Sequence, residues 1–405
     1  MLTARPLLAS YAQALSRSIL LSLGLDHALI DFLAHVVVAA VTVLLAIVFI
    51  AIPRPTPVYS SCKPVRPGAM MIALQEVRMK KSLLVLFVLC SVFPAFAAKQ
   101  YSYFRVGNPN DVTTATTAGT ALEGGGTDVD AVYQWMCQRS GNGDFLVIRA
   151  TGTDAYNPYI QQLCPNENSV ATLIIPNRTA ASDPFVSTTI QNAEALFIAG
   201  GDQSDYINFW KGTPVETALN TLIARNVPIG GTSAGMNVLS QFIYSALASQ
   251  GVTSSQALAN PFNKYITLDE NFVNISSVQG VIDDPHFVTR DRMGRDLAFL
   301  CRVYLNGWSS LPRDIDIDEQ TALLVDASGN GTVVGISTVY FLQAPGAPQV
   351  CQSGVPLTYQ NIAVQRINST GTFNLSKWTG TNVTSYTVSA NAGVLSSTQS
   401  GGGIY

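Results

Sequence analysis

Charge is scarce in this chain. Only 12% of its 405 residues are Asp, Glu, Lys or Arg, and 26 acids against 23 bases leave a net charge of −3. There is no basic excess to neutralise a phosphate backbone, which argues against a nucleic-acid surface. Histidine is scarcer still, with three in all. His27 and His35 fall in an apolar leading segment, so His286 is the one imidazole beyond residue 97. No Cys-x-x-Cys pair and no G-x-G-x-x-G run occurs, so neither zinc nor a dinucleotide is expected, and no cofactor or metal is assigned. Disorder is excluded, because 47% hydrophobic residues at low net charge can bury a core. No internal repeat is visible.

The averages conceal two unlike parts. Residues 1–97 carry eight bases and three acids, which leaves 15 bases and 23 acids, a net of −8, for 98–405. The leading part reads as a targeting segment. Residues 32–52 are uncharged and long enough to span a bilayer as a helix, with Pro53 to stop it. Residues 79–97 hold Lys80 and Lys81, then an apolar run, then Ala95-Phe96-Ala97. That is the order of a secretory signal peptide with cleavage after Ala97. One reading starts translation at Met79; the other retains 32–52 as a membrane anchor. The first is preferred, because the second apolar run is complete as a signal peptide by itself. Either way the downstream chain is expected outside the cytosol, secreted or anchored. Cys137, Cys164, Cys301 and Cys351 then allow three disulfide connectivities, of which 137–164 with 301–351 is the expected one.

From about residue 144, short apolar runs alternate with helical stretches. Strands are expected at 145–148, 171–175, 195–199 and 227–229, and continuous apolar strands between helices indicate a parallel sheet covered on both faces. Thr213-Pro214-Val215-Glu216 reads as a helix start, and Thr127 with Asp130 as another. Val238, Leu239, Phe242, Ile243, Ala246 and Leu247 recur at helical spacing and predict a helix over 236–247. Gly124-Gly125-Gly126 reads as a tight strand-to-helix turn. The domain division is then 1–97 for targeting, 98–345 for an α/β domain, and 346–405 for a Ser/Thr/Gly-rich β appendage.

Gly231-Thr232-Ser233-Ala234-Gly235 is a G-x-S-x-G pattern after an apolar strand, the setting of a nucleophile elbow. The Ala234 amide is placed to help bind an oxyanion. A serine nucleophile needs a base, and His286 is the candidate. The acid that orients the imidazole is Glu319, Asp318, Asp316 or Asp284, and spacing does not choose among them. The bland reading of the acidic strand 314–319 is a solvated strand end or a cation site. Gly200-Gly201-Asp202-Gln203 ends another strand, where an open parallel sheet binds ligands.

Taken in order, Gly200-Gly201-Asp202-Gln203, Gly231-Thr232-Ser233-Ala234-Gly235, Asp284-x-His286-Phe287 with Arg290, Arg292, Gly294 and Arg295, and Asp318-Glu319-x-Thr321-Ala322 resemble the cyanophycinase branch of the serine peptidases that include aspartyl dipeptidase (dipeptidase E). The resemblance covers roughly 120–345. It implies a three-layer α/β sandwich with a mostly parallel sheet, similar to class I glutamine amidotransferases. It also implies Ser233 as nucleophile, His286 as base and Glu319 as acid, with the Gly201 and Ala234 backbone at the oxyanion. Gln203, Asp284, Arg292 and Arg295 match positions that line the family's substrate pocket, where the two guanidinium groups would grip an aspartyl carboxylate. Pro285 stands where cyanophycinases usually have Gln, so short aspartyl peptides are expected in preference to the polymer. The implied partner is a peptide substrate, without nucleic acid; a homodimer is left open, and a membrane enters only if the leading segment is retained. Two other readings compete. A generic α/β-hydrolase esterase shares the elbow, but orders its triad Ser, acid, His. An exported binding protein with a dead site would keep the fold without the chemistry.

Overall fold

The computed structural model describes residues 99–248 and 250–405. The expected membrane run at 32–52 and signal peptide at 79–97 lie outside the described residues. Among the described residues no helix is long and apolar enough to cross a membrane.

In chain order the first elements are β1 (Ser102–Gly107), β2 (Gly119–Glu123), α1 (Asp130–Ser140), β3 (Asp144–Arg149), α2 (Tyr156–Leu163) and β4 (Ser169–Ile174). Next come α3 (Arg178–Ala181), α4 (Pro184–Gln191), β5 (Ala195–Ile198), α5 (Gln203–Trp210), α6 (Pro214–Ala224) and β6 (Ile229–Thr232). The middle of the chain forms β7 (Phe242–Tyr244), α7 (Ser254–Ala259), β8 (Leu268–Glu270), β9 (Val281–Pro285) and α8 (Met293–Leu305). Then follow β10 (Arg313–Ile317), β11 (Thr321–Asp326), β12 (Asn330–Gly335) and β13 (Val339–Gln343). The last strands are β14 (Tyr359–Ile367), β15 (Thr372–Asn374), β16 (Thr379–Thr381), β17 (Thr384–Asn391) and β18 (Val394–Ser397).

Ten strands form one sheet in the order β1-β4-β3-β5-β6-β2-β11-β12-β15-β16. From β4 to β2 every neighbouring pair is parallel; both flanks are antiparallel. The parallel strands are buried on both faces, as their unbroken apolar runs require. Phe145 and Val147 of β3 pack under Val132, Tyr133 and Met136 of α1 and Ile160 of α2. Leu146 and Ile148 point the other way, to Val186 and Ile190 of α4, Tyr206 and Trp210 of α5, and Leu219 and Leu222 of α6. Helices, sheet and helices therefore make three layers. Thr213 caps α6 by accepting from the Val215 N–H at 3.2 Å, with Pro214 at the first turn, as its sequence predicts.

A second sheet runs β18-β17-β14-β13-β10-β9. One face, with Ile315, Ile317 and Phe341, shares the core of the first sheet; the other packs under α8. This arrangement corrects the appendage expected at 346–405. β14 pairs with β13, while β15 pairs with β12 at the far end of the ten-stranded sheet. Phe373 of β15 stacks on Phe341 of β13 with ring centroids 3.6 Å apart. Polar composition misled here: these strands alternate, and each inward residue completes a core begun earlier in the chain.

A second correction concerns 236–247. Ser233–Gly235 form one 3-10 turn, residues 236–240 continue as turns, and 242–244 are β7, paired with β8. Val238, Leu239, Phe242 and Ile243 are buried while Leu247 is 44% exposed, and the backbone between them is turn and strand, so the helical spacing did not report a helix face. Two polar side chains, Asn237 and Ser240, are instead drawn onto Asp283 of β9, at 2.9 Å to its carbonyl and 2.6 Å to its carboxylate. Both expected cystine bridges are present. Cys137–Cys164 ties α1 to the end of α2 and Cys301–Cys351 ties α8 to the approach of β14, with Cα–Cα distances of 6.3 and 6.4 Å.

Candidate active site

Three chain reversals meet where the two sheets join. The first follows β6, the second follows β9, and the third is the three-residue passage from β10 in one sheet to β11 in the other. Ser233 takes the first reversal at φ 53°, and His286 takes the second at φ 53°. Gln320, beside Glu319, takes the third at φ 56°. Non-glycine residues in the left-handed region cost about 1–3 kcal/mol each and persist only where surrounding structure holds them. Small neighbours make the first reversal feasible. A Cβ on Gly231 would lie 2.5 Å from the Gly235 carbonyl oxygen, and one on Gly235 would overlap the Ile198 carbonyl.

The side chains converge in a line. The Ser233 hydroxyl lies 2.6 Å from His286 Nε2, and His286 Nδ1 lies 2.6 Å from Glu319 Oε1. With neutral imidazole, Nδ1–H donates to Glu319 and Nε2 accepts from Ser233. Burial pushes the His286 pKa below its ordinary 6.5; Arg290 and Arg292 push the same way, and Glu319 pulls back. The base is therefore unprotonated at neutral pH, which a proton acceptor requires.

Of the four candidate acids, Glu319 reaches the imidazole. Asp318 accepts from the Thr289 N–H at 2.9 Å and from the hydroxyls of Thr289 and Ser337 at 2.8 and 3.0 Å. It pins the segment after His286. Asp316 and Asp284 are fully buried, and the ring nitrogens bond Ser233 and Glu319 instead.

The Gly200-Gly201 turn after β5 borders the nucleophile: a Cβ on Gly200 would sit 3.5 Å from Ser233 Cβ. Ala234 lies buried in the serine turn. Gln203 opens α5, half-buried, and donates to the Tyr244 carbonyl at 3.4 Å. The expectation for Asp284, Arg292 and Arg295 needs correction. Asp284 is wholly buried, accepting from Arg295 Nε at 2.6 Å and from Arg292 Nη1 at 2.8 Å. Arg295 also bonds Asp284 through Nη2, and its Nη1 lies 3.4 Å from the Val252 carbonyl. Arg295 spends its directional bonds on Asp284, and Arg292 Nη1 is shared between Asp284 and the Pro285 carbonyl at 2.6 Å. Burial alone would raise the Asp284 carboxyl, but Arg292 and Arg295 outweigh it and hold it below the ordinary carboxylate value. The exposed cation beside the triad is Arg290, 53% exposed, with Nε 3.7 Å from Glu319 Oε1.

Sequence reasoning missed the part played by Gly124-Gly125-Gly126. The Gly124 carbonyl accepts from the His286 N–H at 2.8 Å, and the Gly125 carbonyl accepts from the Gln320 N–H at 2.8 Å. A Cβ on Gly125 would collide with the His286 ring, and one on Gly126 would lie 3.0 Å from Glu319 Cβ. The glycine run is a back wall for base and acid. Its unusual length was the available sign. Glu123, just before it, is fully buried at the β2–β6 pairing opposite Thr232. Burial, with Asp128 adding to it, pushes its pKa up to about 8, although the Val129 N–H donates to it at 2.6 Å.

Residues 158–263 match Peptidase family S51. That stretch contains the Ser233 turn and ends before His286. Among solved structures, a peptidase from an acI-B1 Actinobacterium is similar at 17% identity over 64% of this chain and 98% of its own, with a TM-score of 0.44. A candidate Peptidase E protein from Listeria monocytogenes EGD-e is similar at 14% identity over 55% of this chain and 100% of its own, with a TM-score of 0.36. The family match over 158–263 carries the assignment: the chain resembles the cyanophycinase and dipeptidase E group of family S51 and is a serine-type peptidase.

Proposed function

We propose that this peptidase hydrolyses aspartyl peptide bonds through a Ser233–His286–Glu319 triad on a fold of the class I glutamine amidotransferase kind. The carrying observation is the continuous line of 2.6 Å contacts from hydroxyl to imidazole to carboxylate. Ser233 Oγ attacks the scissile carbonyl while His286 takes its proton; the same imidazole then protonates the leaving amine. Glu319 holds the ring and stabilises its charged form. The amides of Gly201 and Ala234 are assigned to the oxyanion. Preference for an aspartyl carboxylate rests on the family resemblance. Its charge partner is reassigned to Arg290, because Arg292 and Arg295 are occupied by Asp284. With Pro285 in place of the usual Gln, short α- or β-aspartyl peptides should outperform cyanophycin. Export belongs to the same proposal: two disulfides in the described domain suit an oxidising compartment and a signal peptide ahead of it.

The test is a panel of α- and β-aspartyl dipeptides and cyanophycin, run with Ser233→Ala and His286→Ala beside the wild type. Each variant should lose about 10³-fold or more in kcat, and a fluorophosphonate should label Ser233 in the wild type. Near-normal turnover by Ser233→Ala would remove the triad. Hydrolysis confined to peptides lacking Asp would remove the substrate class alone.

A further inference from the structure

Behind the histidine loop lies a second constellation that the triad does not use. β9 and β10 run parallel, with Asp284 beside Asp316 and Ile282 beside Asp314. Residues two apart on a strand share a face, so Asp284, Asp314 and Asp316 look the same way. That face lies under the first turn of α8, which brings in Asp296. All four aspartates are fully buried. One carboxylate oxygen from each of Asp296, Asp314 and Asp316 lies within 4.8 Å of the other two. None of the six oxygens on these three residues has a hydrogen-bond donor.

The two nearby cations do not fill the gap. Arg292 and Arg295 are both bonded to Asp284. Arg295 Nε passes 4.0 Å from Asp296 Oδ1, but its hydrogen goes to Asp284 at 2.6 Å. Four carboxylates against two guanidinium groups leave two negative charges uncompensated in the interior. An unpaired buried charge costs several kcal/mol, so the cluster needs either a cation or protons. Donor chemistry favours a hard ion, since every available ligand is a carboxylate oxygen. Calcium is the better candidate of the hard ions because it accepts several carboxylates in flexible geometry, whereas magnesium dehydrates reluctantly and keeps several waters, for which a fully buried site has little room.

We propose that Asp296, Asp314 and Asp316 form an internal site for one divalent cation of the calcium kind. The ion's two charges match the deficit. It joins β10 to α8 and so braces both approaches to the triad: Asp316 lies three residues before Glu319, and Asp296, in the first turn of α8, lies ten residues after His286. Full burial implies that the ion is captured as the chain folds and exchanges slowly.

The test uses the full chain, purified with calcium and without chelator, then dialysed against metal-free buffer. Elemental analysis should find about one calcium per chain, and none in the triple variant Asp296→Asn, Asp314→Asn, Asp316→Asn. The wild-type thermal midpoint should be about 5 °C or more lower in EDTA than in calcium, and that of the triple variant should be the same in both. If the triple variant does not fold, Asp316→Asn alone should retain less calcium than the wild type. A wild-type chain that retains no divalent ion and melts identically in EDTA and calcium would overturn the site. Retention of a different divalent ion would overturn its assignment to calcium.

Discussion

His286 shows how one residue's surroundings set its chemistry. Its pKa is depressed, so the neutral base is present at pH 6.5 and activity is lost as pH falls through a value below 6.5. The acid limb of kcat/KM should therefore have its midpoint below 6.5. Glu319 raises that pKa, so Glu319→Gln should move the acid limb to still lower pH while the plateau falls by orders of magnitude. A limb that stays in place would mean that the carboxylate does not act on the imidazole. The depressed pKa also affects stability. The unfolded chain protonates this histidine first, so its contribution is intact above 6.5 and declines as pH falls. Arg295 belongs to a different account. Sequence spacing puts it on one face with Arg292, which is correct, but the partner of that face is Asp284. Arg295→Lys replaces a paired hydrogen bond inside the protein with a point charge. Its cost should fall on stability, roughly 1–3 kcal/mol in a denaturant melt, with KM for aspartyl peptides little changed. A tenfold rise in KM at unchanged stability would restore its place in the substrate pocket.

Among the elements, the loops after β2, β6 and β9 and the β10–β11 passage carry the site. Much of this was legible: the elbow pattern named Ser233 and elimination named His286, while Glu319 came from the family resemblance, since spacing left four acids open. The helix at 236–247 was not, because Asp283, onto which Asn237 and Ser240 are drawn, lies 46 and 43 residues away from them in the chain. Gly124-Gly125-Gly126 could be read as a turn but not as a wall, since contact with His286 comes from the fold alone. Gly125→Ala tests that wall. Gly125 has φ +89° and its added Cβ meets the imidazole; Gly280 has φ +72° and its Cβ would meet nothing within 4 Å. Both substitutions should cost about 1–2 kcal/mol of backbone strain. Gly125→Ala alone should also lower kcat by tenfold or more, because a displaced base is a poor one. Equal kinetics in the two variants would deny the wall its role.

At the scale of the whole chain, the last 60 residues are structural partners of the peptidase part. Truncation after Pro345 would strip β14 from β13 and β15 from β12, and would uncover Phe341. It also removes Cys351 and frees Cys301. Such a chain should be insoluble or lack a cooperative melt; a soluble, active 98–345 fragment would vindicate the appendage. Composition could not reveal this. Ser and Thr fill the outward positions of these strands, while the inward residues that matter, Phe373, Val388 and Ala390, are few and spaced two apart or alone.

The strand order also sets a schedule. β2, among the first strands made, is paired on one side with β6 and on the other with β11. Gly126 and Glu319, which meet at the site, are 193 residues apart in the chain. At about 5–20 residues per second, synthesis separates them by about 10–40 s. For the last 86 residues of that interval Ser233 has been made and Glu319 has not. The triad is therefore assembled only when β10 and β11 are in place. The delay is written in topology: nucleophile, base and acid come together only after most of the described chain has been made.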